Sequence, residues 1–216
     1  PYDKLNMIQI IPAIIAQDFE ELQEKIKKVE PYIDWVQLDI MDGKFVKNET
    51  WQNSSDLKSL NTNLNLEAHL MIQNPENVIN DWIKSGVQRI IFHYESTDKH
   101  QEIIEKIKQA GLQVGLAINP ETLIEVIDDF VNQLDLVLIM TIQPGFGGQK
   151  FLEETLWKIK DLREKYKDVN IGVDGGINLE TASKVIQVGA NILFIGSAIF
   201  KSKNIEEVIK ELKNGY

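Results

Sequence analysis

Two aspartates end apolar runs just ahead of glycines: Asp39 in Val36-Gln37-Leu38-Asp39-Ile40-Met41-Asp42-Gly43 and Asp174 in Ile171-Gly172-Val173-Asp174-Gly175-Gly176. Carboxylates accept and return protons, so two acids on two strand ends suggest a proton-transfer site. A histidine, His69, closes a third such run in Glu67-Ala68-His69-Leu70-Met71. By itself it suits a hydrogen-bonded core histidine as well as a ligand for a divalent metal, and its place between two strand-end acids favours the ligand. His93, in Phe92-His93-Tyr94-Glu95, is read as bonded within the mouth of the fold, and His100, among polar residues, as a solvated surface group. Asp42 precedes Gly43, the setting of a turn aspartate that bonds its own backbone.

Three glycine clusters follow successive apolar runs: Gly145-Phe146-Gly147-Gly148-Gln149, Gly175-Gly176 and Gly196-Ser197. Glycine lets backbone N–H groups approach an anion closely, and the helix starts that follow add positive dipole ends. One glycine pair alone is most simply a turn. Three on adjacent loops point to a phosphate cradle, built from backbone amides with no need of a nearby lysine.

These residues must be positioned by strands. Runs rich in Ile, Val and Leu cover residues 7–15, 35–40, 66–72, 89–93, 113–118, 136–140, 170–174 and 191–195. Between most of them lie charged segments with one apolar stripe, such as Phe19-Leu22-Ile26-Val29 and Leu152-Leu156-Ile159-Leu162, so eight strand-helix units can be counted. Asn74-Pro75-Glu76, Asn119-Pro120-Glu121 and Asn178-Leu179-Glu180 are expected helix starts, and Gly111 and Gly189 expected helix ends. The alternation implies an α/β fold with a parallel sheet, and eight repeats allow closure as a single-domain (β/α)8 TIM barrel over residues 1–216. The alternative, an open doubly wound sheet, lacks its G-x-G-x-x-G turn after the first strand. In a barrel, Asp39, His69, Met140 and Asp174 converge on one mouth. The longest connection, from Met41 to about Asn63, carries Trp51 and is expected to form a partial lid. Met41, Met71 and Met140 either line the mouth or serve as packing filler.

The net charge of −10 disfavours nucleic acid and anionic membranes as partners, since both would be repelled. Absence of cysteine leaves no thiolate nucleophile and fits a reducing compartment, the cytoplasm by default. No run of about 18 apolar residues and no signal-peptide pattern occurs.

The motifs within residues 12–19, 39–46, 69–71, 140–151, 173–177 and 196–200 occur in the order that they have in the ribulose-phosphate 3-epimerase family, and from Ile11 to Phe200 the chain resembles it. The resemblance implies an isomerase of the pentose phosphate pathway. Such an enzyme interconverts D-ribulose 5-phosphate and D-xylulose 5-phosphate, with Asp39 and Asp174 moving a proton at C3. It also implies a small sugar-phosphate partner held by His69, Gly145, Phe146, Gly147, Gly148, Gly175, Gly176, Gly196 and Ser197. The implied cofactor is a divalent metal ion (Zn, Mn, Mg or Fe) on Asp39, His69 and Asp174. Allulose-phosphate epimerases are similar, so a ketohexose 6-phosphate is the alternative substrate. Homo-oligomerisation is left open.

Two departures from the family stand out. Gln37 replaces a metal-ligating histidine, and an amide oxygen is a harder, weaker ligand, so Gln37 is read as a weak ligand or none, with Mg²⁺ or Mn²⁺ favoured over zinc. Ala13 replaces a substrate-contacting serine, a loss of about 0.5 to 1.5 kcal/mol. Together they motivate a second reading, a non-catalytic sugar-phosphate-binding barrel. A related decarboxylase barrel would need Asp-x-Lys, and Met41 stands where that lysine would be.

Overall fold

The computed structural model describes residues 8–215. Eight parallel strands close into a barrel in sequence order: β1 Gln9–Ile14, β2 Trp35–Met41, β3 Asn65–Met71, β4 Arg89–His93, β5 Gln113–Ile118, β6 Leu136–Met140, β7 Ile171–Asp174 and β8 Ile192–Ile195. Met7, placed in the first strand from sequence, lies outside the described residues. The period-2 alternation explains why the strands serve two cores at once. Val36, Leu38 and Ile40 face outward into the main hydrophobic cluster beneath the helices, whereas Ile11, Ala13, Ile91, Leu138, Met140 and Phe194 fill the barrel.

The connections depart from eight uniform strand-helix units. Helices α1 Phe19–Val29, α3 His100–Gln109, α4 Thr155–Lys165 and α5 Leu179–Gln187 follow strands β1, β4, β6 and β7; β3 has only the short α2 Ile79–Ile83, and β8 is followed by α6 Ser197–Phe200 and α7 Ile205–Asn214. After β2 and β5 the chain forms 3₁₀ turns (Ser54–Ser59; Ile124–Ile127 and Val131–Gln133) in place of an α-helix. The first of these segments is rich in Asn, Ser and Asp, whose side chains compete for the backbone: Asn53 Nδ2 donates to Asp56, and the Ser59 hydroxyl to the Asp56 carbonyl. Asn178 caps α5 through a capping box with Thr181. Asn74 takes a left-handed conformation (φ 54°) before a 3₁₀ turn, and Asn119 caps no helix. Gly111 and Gly189 follow α3 and α5 with positive φ, 76° and 116°, as helix-ending glycines do.

Trp51 is a core residue and no lid. It is 8% exposed, packs edge-on against Trp82 and tilted against Phe19, and donates its indole N–H to Asp56. Its apolar area is worth more buried beneath the barrel helices than spread over an open mouth. No helix among the described residues is long and apolar enough to cross a membrane.

Candidate active site

Strand register sets the levels of the barrel interior. Gln37, Glu67, Arg89 and Gln113 are lateral neighbours on β2 to β5, and one step higher Asp39 pairs with His69. The lower level is a polar floor, with Glu67 and Arg89 in a buried ion pair and the guanidinium 4.6 Å over the Trp35 ring. Above it Asp39, His69 and Asp174 converge, one donor atom from each lying within 4.8 Å of the others. His69 Nδ1 is 3.0 Å from Asp39 Oδ1 and 3.6 Å from Asp174 Oδ2. Gln37 Nε2 donates to both acids, at 2.9 Å to Asp39 Oδ1 and 2.7 Å to Asp174 Oδ2.

Burial dominates the electrostatics here. Loss of solvation pushes the Asp39 carboxyl up to about 7 against the Gln37 hydrogen bond, and desolvation plus the neighbouring Asp39 charge push Asp174 up to about 7 as well. Desolvation likewise holds the His69 imidazole down to about 4, so it stays neutral. Groups that titrate near neutrality can act as acid and as base in one cycle.

The three residues fit a divalent cation: two carboxylates and a neutral imidazole are an ordinary donor set for Mn²⁺, Fe²⁺ or Zn²⁺. A further observation concerns Gln37. Its Oε1 is buried without a hydrogen-bond partner, and a half-turn of the amide would bring this oxygen to the position from which Nε2 now reaches both acids.

A cavity of about 320 Å³ opens above these groups. Met41, Met71 and Met140 line it, as do Asp39, Asp174 and all the glycines of the three clusters, with Phe146 and Ser197. Gly145, Gly148, Gly175 and Gly176 take positive φ, so the backbone there turns in a manner side chains resist. A Cβ at Gly176 would lie 2.7 Å from the Phe151 backbone nitrogen. Ala13 is also on the wall. Sequence reasoning expected a cradle without lysines, but Lys25 and Lys201 line the cavity too. Lys25 is tied to Glu21 and the Ile15 carbonyl, whereas Lys201 makes no ion pair among the described residues and its Nζ would meet a Cβ on Gly148 at 3.2 Å. Neither was legible, because surface lysines are ordinarily solvated and no spacing distinguishes Lys25 on α1 or Lys201 just after α6.

His93 is fully buried and hydrogen-bonded at the mouth. His100 is not a solvated group: it bonds the Tyr94 carbonyl at 2.7 Å and its ring lies parallel to that of Tyr94, 4.4 Å away. Asp42 Oδ1 accepts from the Lys44 and Phe45 N–H groups, the turn role expected of it.

A parallel eight-stranded barrel with two acids and a histidine converging at its mouth is the architecture of a (β/α)8-barrel enzyme. A profile of the ribulose-phosphate 3 epimerase family matches residues 9–200, and the chain belongs to that family. It is an isomerase. Among its relatives, ribulose-phosphate 3-epimerase of Schizosaccharomyces pombe is 40% identical, covering 95% of this chain and 92% of its own; that of Bacillus subtilis is 39% identical, covering 96% and 99%. The chloroplastic ribulose-5-phosphate-3-epimerase of Arabidopsis thaliana is 42% identical over 98% of this chain and 79% of its own. Solved structures share the fold: a tryptophan synthase alpha-subunit of Pyrococcus furiosus has a TM-score of 0.72 at 18% identity over 97% of this chain and 100% of that one.

Proposed function

We propose that this enzyme interconverts D-ribulose 5-phosphate and D-xylulose 5-phosphate by passing the C3 proton between Asp39 and Asp174. The observation that carries the reading is the pair of carboxyls, Asp39 buried and Asp174 nearly so, converging beside one cavity and both raised to about 7. One ionised carboxylate removes the proton from C3, and the C–H electron pair moves toward the C2 carbonyl to give an enediolate. The other, protonated, carboxyl then returns a proton to the opposite face as the carbonyl re-forms. The two acids exchange protonation states, and C3 is inverted. General acid-base help is worth about 10² to 10⁴-fold, so positioning and electrostatics must supply the rest of the acceleration.

Asp39, His69 and Asp174 would hold a divalent cation, with the Gln37 amide oxygen as a weak further donor. Such an ion would supply Lewis-acid stabilisation of the negative charge on the two enediolate oxygens. The phosphate is assigned to the far side of the cavity, where the backbone of Gly145, Phe146, Gly147, Gly148, Gly175, Gly176, Gly196 and Ser197 approaches closely. Methionines 41, 71 and 140 wall the reacting carbon from water. The whole of residues 1–216 is proposed to act as one domain, with the cytoplasm as its compartment.

The test is proton NMR of ribulose 5-phosphate with enzyme and Mn²⁺-free Mg²⁺ or Zn²⁺ in D₂O, run beside allulose 6-phosphate. Solvent deuterium entering C3 of the pentose, with xylulose 5-phosphate formed, is the expected result. Ligand-induced thermal stabilisation without exchange would instead favour a binding protein.

A further inference from the structure

His93 is a buried titratable side chain for which the proton transfer has no use. Its Nε2 is 2.9 Å from His69 Nε2, and its Nδ1 is 3.1 Å from Asn119 Oδ1 and 3.6 Å from Glu95 Oε2. The two rings are nearly parallel, 17° apart. A chain of contacts therefore runs from Glu95 and Asn119 through His93 and His69 to Asp39.

Counting hydrogens gives this chain a direction. A neutral imidazole has one N–H and one lone pair. Two neutral imidazoles thus bring two hydrogens to three contacts: Asn119/Glu95 with His93, His93 with His69, and His69 with Asp39. At the Glu95 end the partner is an acceptor. Burial alone would raise the Glu95 carboxyl, but bonds from His93, the Thr122 hydroxyl and the Asn119 N–H outweigh it and hold the carboxyl below its usual value, hence ionised. Its second oxygen is already fixed by Thr122 and Asn119, so the side chain is not free to turn away. His93 Nδ1 must then carry the hydrogen. His93 Nε2 is left as a lone pair and accepts from His69 Nε2–H, which leaves His69 Nδ1 bare.

We propose that Glu95 and Asn119, acting through His93, are positioning residues that fix His69 in the tautomer whose Nδ1 lone pair faces Asp39 and Asp174. The contact left without an imidazole hydrogen is the 3.0 Å approach of that lone pair to Asp39 Oδ1, which is where a cation, or a proton on Asp39, must sit. This inference rests on the cation reading under the proposed function and extends it: the donor atom is presented in advance, and its orientation is set two residues away, outside the reach of substrate. At 2.9 Å the two Nε2 atoms must share a single hydrogen, since two N–H groups would clash there and two lone pairs would repel, which sustains the count. Asn119 heads a segment in which no α-helix follows, so its side chain, unused as a cap, is available for this bond.

The tautomer is read by ¹⁵N NMR of the wild-type protein labelled at histidine, in the absence of metal and substrate. The expected spectrum places the His69 hydrogen on Nε2. A hydrogen on Nδ1 overturns the proposal, whatever the variants do. Calorimetry with Mn²⁺ then compares the wild type with Glu95→Gln, whose amide can donate to His93 Nδ1 and release the chain. A 10 to 100-fold loss of Mn²⁺ affinity with a second His69 tautomer appearing is expected, the range for partners behind metal-bound histidines. Unchanged affinity and a single His69 tautomer would remove Glu95 from the role. Because neither readout involves turnover, a protein that failed to epimerise ribulose 5-phosphate while showing the Nε2–H tautomer would contradict the reaction and not this arrangement.

Discussion

Asp39 and Asp174 stand on β2 and β7, with β1 and β8 between them in the barrel wall, yet one side-chain amide, that of Gln37, donates to both carboxylates. Two consequences follow from that single bridge. The acids are held at a separation that the amide spans, and each takes one of its few hydrogen bonds from the same N–H₂ group, so neither charge is well solvated. Each negative charge then penalises the other, which suits a cycle in which one member of the pair is protonated while its partner is ionised.

Replacing either acid by its amide should lower kcat by about 10² to 10⁴-fold, because each carries one of the two proton transfers. The informative measurement is isotope exchange. Asp39→Asn and Asp174→Asn should each still wash deuterium from D₂O into C3 of one epimer, and the two variants should favour opposite epimers. Exchange into the same epimer by both variants would mean that one acid serves both faces.

Gln37→His should raise zinc affinity by about tenfold or more, equivalent to about 1.4 kcal/mol, since imidazole is the softer and stronger donor. The parent should prefer Mg²⁺ and Mn²⁺ to a greater degree than the variant. Competition titrations with zinc and manganese check this, and equal preferences in both proteins would show that residue 37 faces away from the ion.

Much of this was legible in the sequence, and the reasons are local. The ends of β4, β5 and β6 coincide with the apolar runs, which give way at their C-terminal ends to Tyr94, Asn119 and Thr141. Asp39, His69 and Asp174 were legible as a group because strand-end positions in a closed barrel must converge. What escaped was set by tertiary competition. Asn119-Pro120-Glu121 has the pattern of a helix start, but Lys158 donates to the carbonyls of Asn119 and Pro120 and holds that segment from outside. Trp51 looked like a lid residue because sequence gives no sign that Phe19 and Trp82, distant along the chain, would enclose it. The link from His93 to His69 joins two separate strands and has no periodic signature.

Gly176→Ala should destabilise the fold by about 1 to 3 kcal/mol, because the residue sits at φ 68° and its Cβ would press on the Phe151 backbone. Gly147→Ala is the control. Its backbone is unstrained and the new methyl would meet only the tip of Ile15 at 3.3 Å, so stability should change by no more than about 0.5 kcal/mol. Urea melts of both variants check the contrast, and equal losses would contradict the cavity geometry.

Lys201→Gln should raise KM for the sugar phosphate about two- to fivefold at low salt, the range of one exposed ion pair, with kcat nearly unchanged. The ammonium beside Gly148 lies among the glycines assigned to the phosphate and makes no contact with Asp39 or Asp174 among the described residues, so it should affect binding alone. The difference between variant and parent should vanish as salt screens the pair. A salt-independent effect, or one confined to kcat, would place Lys201 in another role.

The acids also leave a mark on stability when metal is removed. Each carboxyl rises from an ordinary 3.8 to about 7 on folding, so between those values the folded chain keeps protons that the unfolded chain has released. Stability from this source is greatest below about 4 and is lost as pH climbs toward 7. His69 acts in the opposite sense: held down to about 4 from 6.5, it makes the unfolded chain the better proton binder, so its contribution grows with pH over nearly the same interval. Comparing Asp174→Asn with the parent in EDTA cancels the histidine to first order. The Tm of the variant relative to the parent should therefore increase from about pH 4.5 to about pH 7 and level off above, as the parent alone bears the cost of ionising a second buried acid. A difference independent of pH, followed by calorimetry across that range, would mean that Asp174 ionises as easily in the folded barrel as in water.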